Sequence, residues 1–191
     1  GYVQGADQAA KELGITDEVQ VEYVCGGQFY GDADITAYMD TWFGSKGVEI
    51  VFACGGGIYT SAAEAAVKTG GKIIGVDLDQ SATIDEYEDG LTVTSAMKGL
   101  QVTIDNVLSA IKGGTWDAYA GEMENLGLES ANPEENYVQL PETTTQWDDN
   151  FTVDDYRDLV QRMYDGELTV SGDTTSFPET EIQATDYGSI K

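Results

Sequence analysis

Two apolar periods alternate along the chain. Residues 2–13 carry Val3, Ala6, Ala9, Ala10 and Leu13 at helical spacing, closed by Gly14. Residues 19–25 (VQVEYVC) read as a strand, and residues 32–43 set Ile35, Tyr38, Met39, Trp42 and Phe43 on one helical face. Residues 48–54 (VEIVFAC) are nearly continuous in apolar character, as in a parallel strand covered on both faces. An Ala-rich helix over 58–68 ends at Gly70-Gly71, and a third strand runs over 72–77 (KIIGVD). A short fourth strand over 91–94 and a helix over 99–111, stopped by Gly113-Gly114, complete the series. Strands alternating with helices across short loops predict an α/β fold with right-handed crossovers and a parallel sheet flanked by helices.

Beyond residue 114 the alternation stops. Residues 116–128 and 136–140 read as two strands around an acidic, Pro-containing loop, and residues 154–164 (DDYRDLVQRMY) as an amphipathic helix with Asp154 and Asp155 in its first turn. From Ser171 the chain is rich in Thr, Ser, Asp and Glu, which predicts a weakly packed tail. The expected organisation is an α/β lobe over 1–114, strands and a helix over 115–170, and an acidic tail over 171–191.

Composition narrows the function classes. Of 191 residues 41% are hydrophobic, enough for a core, while 9 Lys and Arg face 35 Asp and Glu for a net charge of -26. That field repels phosphate backbones and anionic headgroups, so nucleic acid is not an expected partner. The chain holds no His, which removes Ser-His-Asp and Cys-His chemistry and most zinc sites. Cys25 and Cys54 each end an apolar run, and two readings stay open: a disulfide between strand tips, or two thiols acting as small hydrophobes. The sequence contains no transmembrane-length apolar run, signal peptide or lipobox cysteine. The opening residues read as a helix inside a longer protein, so a targeting segment is expected outside this chain.

Parallel sheets bind ligands at the carboxyl ends of their strands, so four loops are candidate sites. Gly26 to Asp32 contains Phe29 and Tyr30, flat faces for a ring unless Phe29 simply plugs the strand end. Gly55-Gly56-Gly57 stands where a helix begins and offers backbone N–H groups, or else permits tight strand-to-helix packing. Gly75 to Gln80 places the Asp77 carboxylate at a strand terminus, suited to accepting two hydroxyl hydrogens from a vicinal diol. Thr94 to Lys98 sets one cation at the mouth of an acidic lobe, as a ligand contact or as an ion-pair partner of Asp77 or Asp79. Gly55-x-Gly57-x-x-Thr60, with Asp77 about 20 residues on, imitates a dinucleotide fingerprint. Thr60 replaces the third glycine and another strand–helix unit precedes it, which makes a nucleotide-cofactor enzyme the alternative rather than the leading reading.

The run VEIVFACGGGIYTSAAEAAVKTGGKIIGVDLDQ, residues 48–80, resembles the most characteristic stretch of the basic membrane protein (PnrA-like) family of nucleoside-binding lipoproteins. The Phe29 to Asp32 loop, the Thr94 to Lys98 segment and the Gly121 to Leu128 region follow in matching order. The resemblance implies a type I periplasmic-binding-protein-like fold of two lobes, of which this chain covers the second onward, with residues 115–170 packing toward the first. It also implies the solute-binding component of an ABC importer, performing no chemistry, needing no cofactor and handing its ligand to permease subunits. Asp77 would hold ribose hydroxyls, Lys98 the sugar or its 5′ oxygen, and Phe29 the base, with Tyr30 or Trp42 as alternatives. Gly55 and Gly56 would line the pocket. The ligand expected is a nucleoside, purine preferred, although the family also takes riboflavin. The location implied is extracytoplasmic, with a lipid anchor outside this chain. An effector-binding lobe of a regulator is the other alternative.

Overall fold

In chain order the elements are α1 (Tyr2–Leu13), β1 (Gln20–Cys25), α2 (Ala33–Thr41), β2 (Ile50–Phe52), α3 (Tyr59–Ala66), β3 (Lys72–Asp77), α4 (Ser81–Ile84), β4 (Thr92–Lys98), α5 (Leu100–Gly113), β5 (Val138–Gln139), α6 (Val153–Tyr164) and β6 (Gln183–Ser189). The structure is a computed structural model describing residues 1–190. It divides into residues 28–168 and a second unit made of residues 1–27 with the stretch from Thr169 onward.

The larger unit is built on a four-stranded sheet ordered β2-β3-β4-β5. β2, β3 and β4 are parallel, while β5 joins antiparallel at the far end of β4. Central β3 has Ile73 fully buried and Val76 buried beside it, with Val51 and Ala53 from the β2 region. The Ala-rich sequence of α3 lets it press close: Ala62, Ala63, Ala65 and Ala66 are all buried. α2 packs on α3 and runs on into a π-helical turn, Trp42–Lys46, which turns both Trp42 and Phe43 inward. The glycine pair after α3 has a physical cause. Gly70 sits at φ 75°, and a Cβ at Gly71 would collide with the Phe43 ring.

The C-terminal part of this unit is tied down by polar contacts. Gln146 donates to the carbonyls of Gly90 and Thr92, both at 2.8 Å, and its own N–H to Val93 C=O. Trp147 stacks on Tyr156 of α6 at 5.7 Å. α6 begins with a reciprocal capping box between Thr152 and Asp155. The strand expected over 116–128 is absent. Trp116–Ala118 form a single tight turn, Gly121 stands at φ 83°, and the one backbone bond to 136–140 runs from Tyr137 N–H to Gly127 C=O. The apolar residues there are spaced without a ladder partner.

The smaller unit overturns two expectations. β1 pairs in parallel with β6, and not with the sheet of β2 to β5. The segment from Ser171, expected as a weakly packed tail, therefore supplies a strand. Its hold is backbone pairing, which apolar content does not reveal. Cys25 and Cys54 are both free and exposed, so the reading of two buried thiols acting as small hydrophobes does not apply. Among the described residues no helix is long and apolar enough to cross a membrane.

Asp7 on α1 fastens the entry to β6. It is only 6% exposed, and its Oδ1 accepts the N–H groups of Glu181 (2.7 Å) and Ile182 (3.0 Å), while Oδ2 meets Lys11 Nζ at 2.8 Å. The Lys11 hydrogen bond, then the Ile182 amide, hold the carboxyl below its ordinary range. A carboxyl depressed on folding stabilises the fold above its unfolded pKa and loses that effect as pH falls through the folded one. Asp7→Asn is therefore expected to lower Tm at neutral pH. The gap to wild type should close as pH drops below about 4, as measured by thermal denaturation from about pH 7 to about pH 3. A gap that stays constant over this range would assign the effect to packing rather than to charge.

Candidate functional site

The carboxyl ends of β2, β3 and β4 bring the predicted residues to one edge of the sheet. The register sets Val51 beside Ile73 and Asp77 beside Met97, so Asp77 and Lys98 end neighbouring strands. Their side chains meet, with Lys98 Nζ 2.8 Å from Asp77 Oδ1. This hydrogen bond raises the Lys98 ammonium above its ordinary pKa, with Asp77's charge as a further cause and Cys54 adding a smaller electrostatic contribution. Both groups stay accessible, the Lys98 side chain at 67% and the Asp77 side chain at 42%. Lys98 occupies one carboxylate oxygen, so Asp77 keeps lone pairs on Oδ2 for another donor.

Among the described residues Asp77 is the one non-glycine residue with positive φ, at 71°. Leu78 N–H donates back to Val76 C=O at 2.8 Å, which makes Asp77 the centre of a γ-turn with φ of the strained sign. An L-residue held in this region stores strain, and such positions gather at functional sites. The strand stops here, and the turn swings the carboxylate over the end of β4.

Phe29 lies on the loop leading into α2. Asp32, the N-cap of α2, accepts the N–H groups of Asp34 and Ile35, while its own N–H and C=O both bond Ser61 Oγ. A Cβ on Gly31 would run into Thr60 and Ser61, so only glycine lets the loop dock this closely. Phe29 C=O accepts Gly57 N–H at 2.8 Å. With the backbone pinned, the ring is left 78% exposed, beside Gly55, and does not plug a strand end. Trp42, the alternative stacking residue, is buried and unavailable, whereas Tyr30 is 65% exposed.

The glycine loop differs from expectation in one respect. Gly55 N–H donates to Ala53 C=O and Gly57 N–H to Phe29 C=O, which leaves Gly56 N–H as the amide of the three without a partner among the described residues. Gly56 itself has φ 46°. The loop thus offers one donor rather than several.

Two residues of the GVDLDQ segment act in ways that pattern reading missed. Asp79 accepts Ser81 N–H at 3.0 Å and Thr144 Oγ1 at 2.8 Å, tying the 144 region to this edge. Burial pushes its carboxyl up, but these donors outweigh it and hold the group below its usual range. Gln80 bonds both neighbouring loops: Oε1 accepts Val76 N–H at 2.8 Å, and Nε2 donates to Gly56 C=O at 3.1 Å. Its backbone N–H donates to buried Ser95 Oγ on β4 at 3.1 Å. The available signal was Gly75, a glycine inside a strand, which marks a close approach. A Cβ there would sit 2.7 Å from Ser95 Oγ and 2.9 Å from Gln80 Oε1.

A hollow of about 440 Å³ lies elsewhere, between α2 and α3, lined by Asp32, Thr36, Asp40, Ser61 and Glu64 among others. None of Phe29, Gly55, Gly56, Asp77 and Lys98 lines it. The predicted residues form an open ledge, not an enclosed cavity. Among the described residues no three His, Cys, Asp or Glu side chains gather into a metal-ion site.

Strain at Asp77 has a measurable consequence. Glycine relieves it and alanine does not, while both remove the ion pair. Asp77→Gly is expected to be more stable than Asp77→Ala by about 1 kcal/mol, or about 3 °C in Tm. Equal melting temperatures for the two variants would show that the turn carries no strain.

No family model matches the chain, and no curated protein matches it either.

Proposed function

We propose that this chain is the ligand-contacting part of an extracytoplasmic solute-binding protein serving an ABC importer, and that it takes nucleosides, purine preferred, without chemistry. The carrying observation is Asp77. It is held in a strained turn at the end of the central strand, paired to Lys98 but half accessible, with an exposed aromatic ring on a loop of the same edge. A carboxylate with one free oxygen accepts two hydroxyl hydrogens of a ribose diol. Lys98 donates to the sugar or its 5′ oxygen, Gly56 N–H supplies one further donor, and Phe29 stacks on the base. The resemblance of residues 48–80 to the basic membrane protein family supports the same reading.

The two-lobed architecture, of the type I periplasmic-binding-protein kind, draws support from α5. Leu100, Ile104, Leu108 and Ile111 stand at successive turns of one face, and each is about half exposed. A stripe of four large aliphatic side chains calls for a covering surface, and in this reading the first lobe provides it. The protein then works outside the cytoplasm on a lipid anchor beyond this chain and docks to permease subunits.

An inosine titration followed by amide NMR tests the proposal. Signals of Gly55, Gly56, Asp77 and Lys98 are expected to shift, and 2′,3′-dideoxyinosine should bind about tenfold more weakly or worse, for loss of hydrogen bonds to a charged acceptor. Shifts with riboflavin alone would change the ligand class and keep the site. No response at these amides to any purine or pyrimidine nucleoside at millimolar concentration would end the nucleoside assignment.

A further inference from the structure

We infer that Gln80 is a positioning residue that locks the glycine loop and the Asp77 turn into one unit, so that the ledge's backbone donor and its carboxylate are presented together. This rests on the site proposed above for the identity of the ligand, but not for the coupling itself. Val76 N–H can only donate, so the Gln80 atom facing it is the amide oxygen. That orientation commits the amide nitrogen to Gly56 C=O, and both bonds are made. The side chain therefore spans from the residue before Asp77 to the glycine whose N–H has no partner among the described residues.

Three features leave the amide little freedom. Its backbone N–H is fastened to Ser95 Oγ, a group fully buried on β4. Gly75 leaves just enough room beneath it, since any side chain there would strike the Gln80 Oε1 and Cβ. Gly56 C=O accepts from Gln80 Nε2, and Gly56 itself stands at φ 46°, a conformation other residues rarely adopt. A rotation of the Gln80 amide would break both side-chain bonds at once. One polar side chain thus carries displacement at Gly56 to the strained turn, and the reverse.

Two variants separate this role from general support. Gln80→Met keeps length and loses both bonds, whereas Gln80→Glu keeps an oxygen acceptor for Val76 N–H and sets an oxygen against Gly56 C=O. In the ligand-free protein, Gln80→Met is expected to shift amide signals in both segments, 55–57 and 76–78, while Gln80→Glu shifts 55–57 more than 76–78. Inosine affinity is expected to fall at least tenfold in Gln80→Met and less in Gln80→Glu, with both variants still folded by their dispersed spectra. Shifts confined to residues near 80 in both variants would overturn the coupling, as would unchanged inosine affinity alongside displaced 55–57 signals. If the wild-type chain binds no nucleoside, the assignment of ligand fails while the ligand-free signals still decide the coupling. Should Gln80→Met not fold, the asymmetry of Gln80→Glu is read alone, and equal shifts in the two segments would overturn the proposal.

Discussion

A carboxylate placed at the end of a parallel strand can point in many directions, and here one backbone constraint selects among them. Asp77 sits at positive φ inside the turn closed by Leu78 N–H and Val76 C=O, and from there its carboxylate meets Lys98 across the sheet edge. The neighbouring geometry depends on that turn. Gln80 follows three residues later and must reach back over Gly75, and Ser95 must be small and buried to take the Gln80 N–H. A strand ending without the kink would carry the chain past both partners. The fold tolerates the strain because several bonds over-determine the turn, and strain sustained in this way is characteristic of sites kept for function.

Much of the larger unit was legible in the sequence because its elements obey one rule each. Ile73, Ile74 and Val76 are apolar and β-branched, the run follows Gly70-Gly71 and ends at Asp77, and β3 covers 72–77 as expected. The helices over 2–13 and 154–164 were readable from amphipathic spacing and terminal signals, with Gly14 closing α1 in the left-handed conformation and Thr152 capping α6. Residues 48–54 shrank to the three of β2, with consecutive tight turns centred on Ala53 and Cys54 closing its carboxyl end. Apart from the strand expected over 116–128, what failed was partner choice. VQVEYVC announces a strand but not its neighbour, and QATDYGS, which pairs with it, carries few apolar residues to announce anything.

The candidate site was legible at the level of residues and not of bonds. The glycines at 55–57 and the acid at 77 signal close backbone approach or a ligand edge, and they do stand at neighbouring strand ends. The sequence pattern does not say which glycine amide remains available, because that depends on Phe29 C=O arriving from a distant loop to take Gly57 N–H. Nor does it distinguish a glutamine that faces solvent from one that bridges two loops. Asp79 is a similar case: an acid among 35 acidic and 9 basic residues looks like a solubilising charge, but accepts from Thr144, 65 residues away.

Charge bears on which ligand such a ledge can hold. The protein's field is strongly negative, at -26 over 191 residues, and such a field concentrates cations, repels anions and leaves uncharged solutes neither enriched nor excluded. Lys98 does not reverse this locally, because its ammonium is already matched to Asp77. A phosphate at the 5′ position would meet an ion pair of no net charge within an acidic surround, and the glycine loop adds one N–H, that of Gly56, without a partner among the described residues. Binding a nucleotide ordinarily calls for several converging N–H donors or an arginine fork, and the only arginines, Arg157 and Arg162, lie on α6. An uncharged sugar needs less: a carboxylate oxygen for its hydroxyls and a cation held in place to donate to its oxygens. In the proposed reading, the same pairing of Asp77 with Lys98 that weakens the ledge as a phosphate site leaves hydrogen-bonding groups aligned for an uncharged sugar, the part a nucleoside presents without a phosphate.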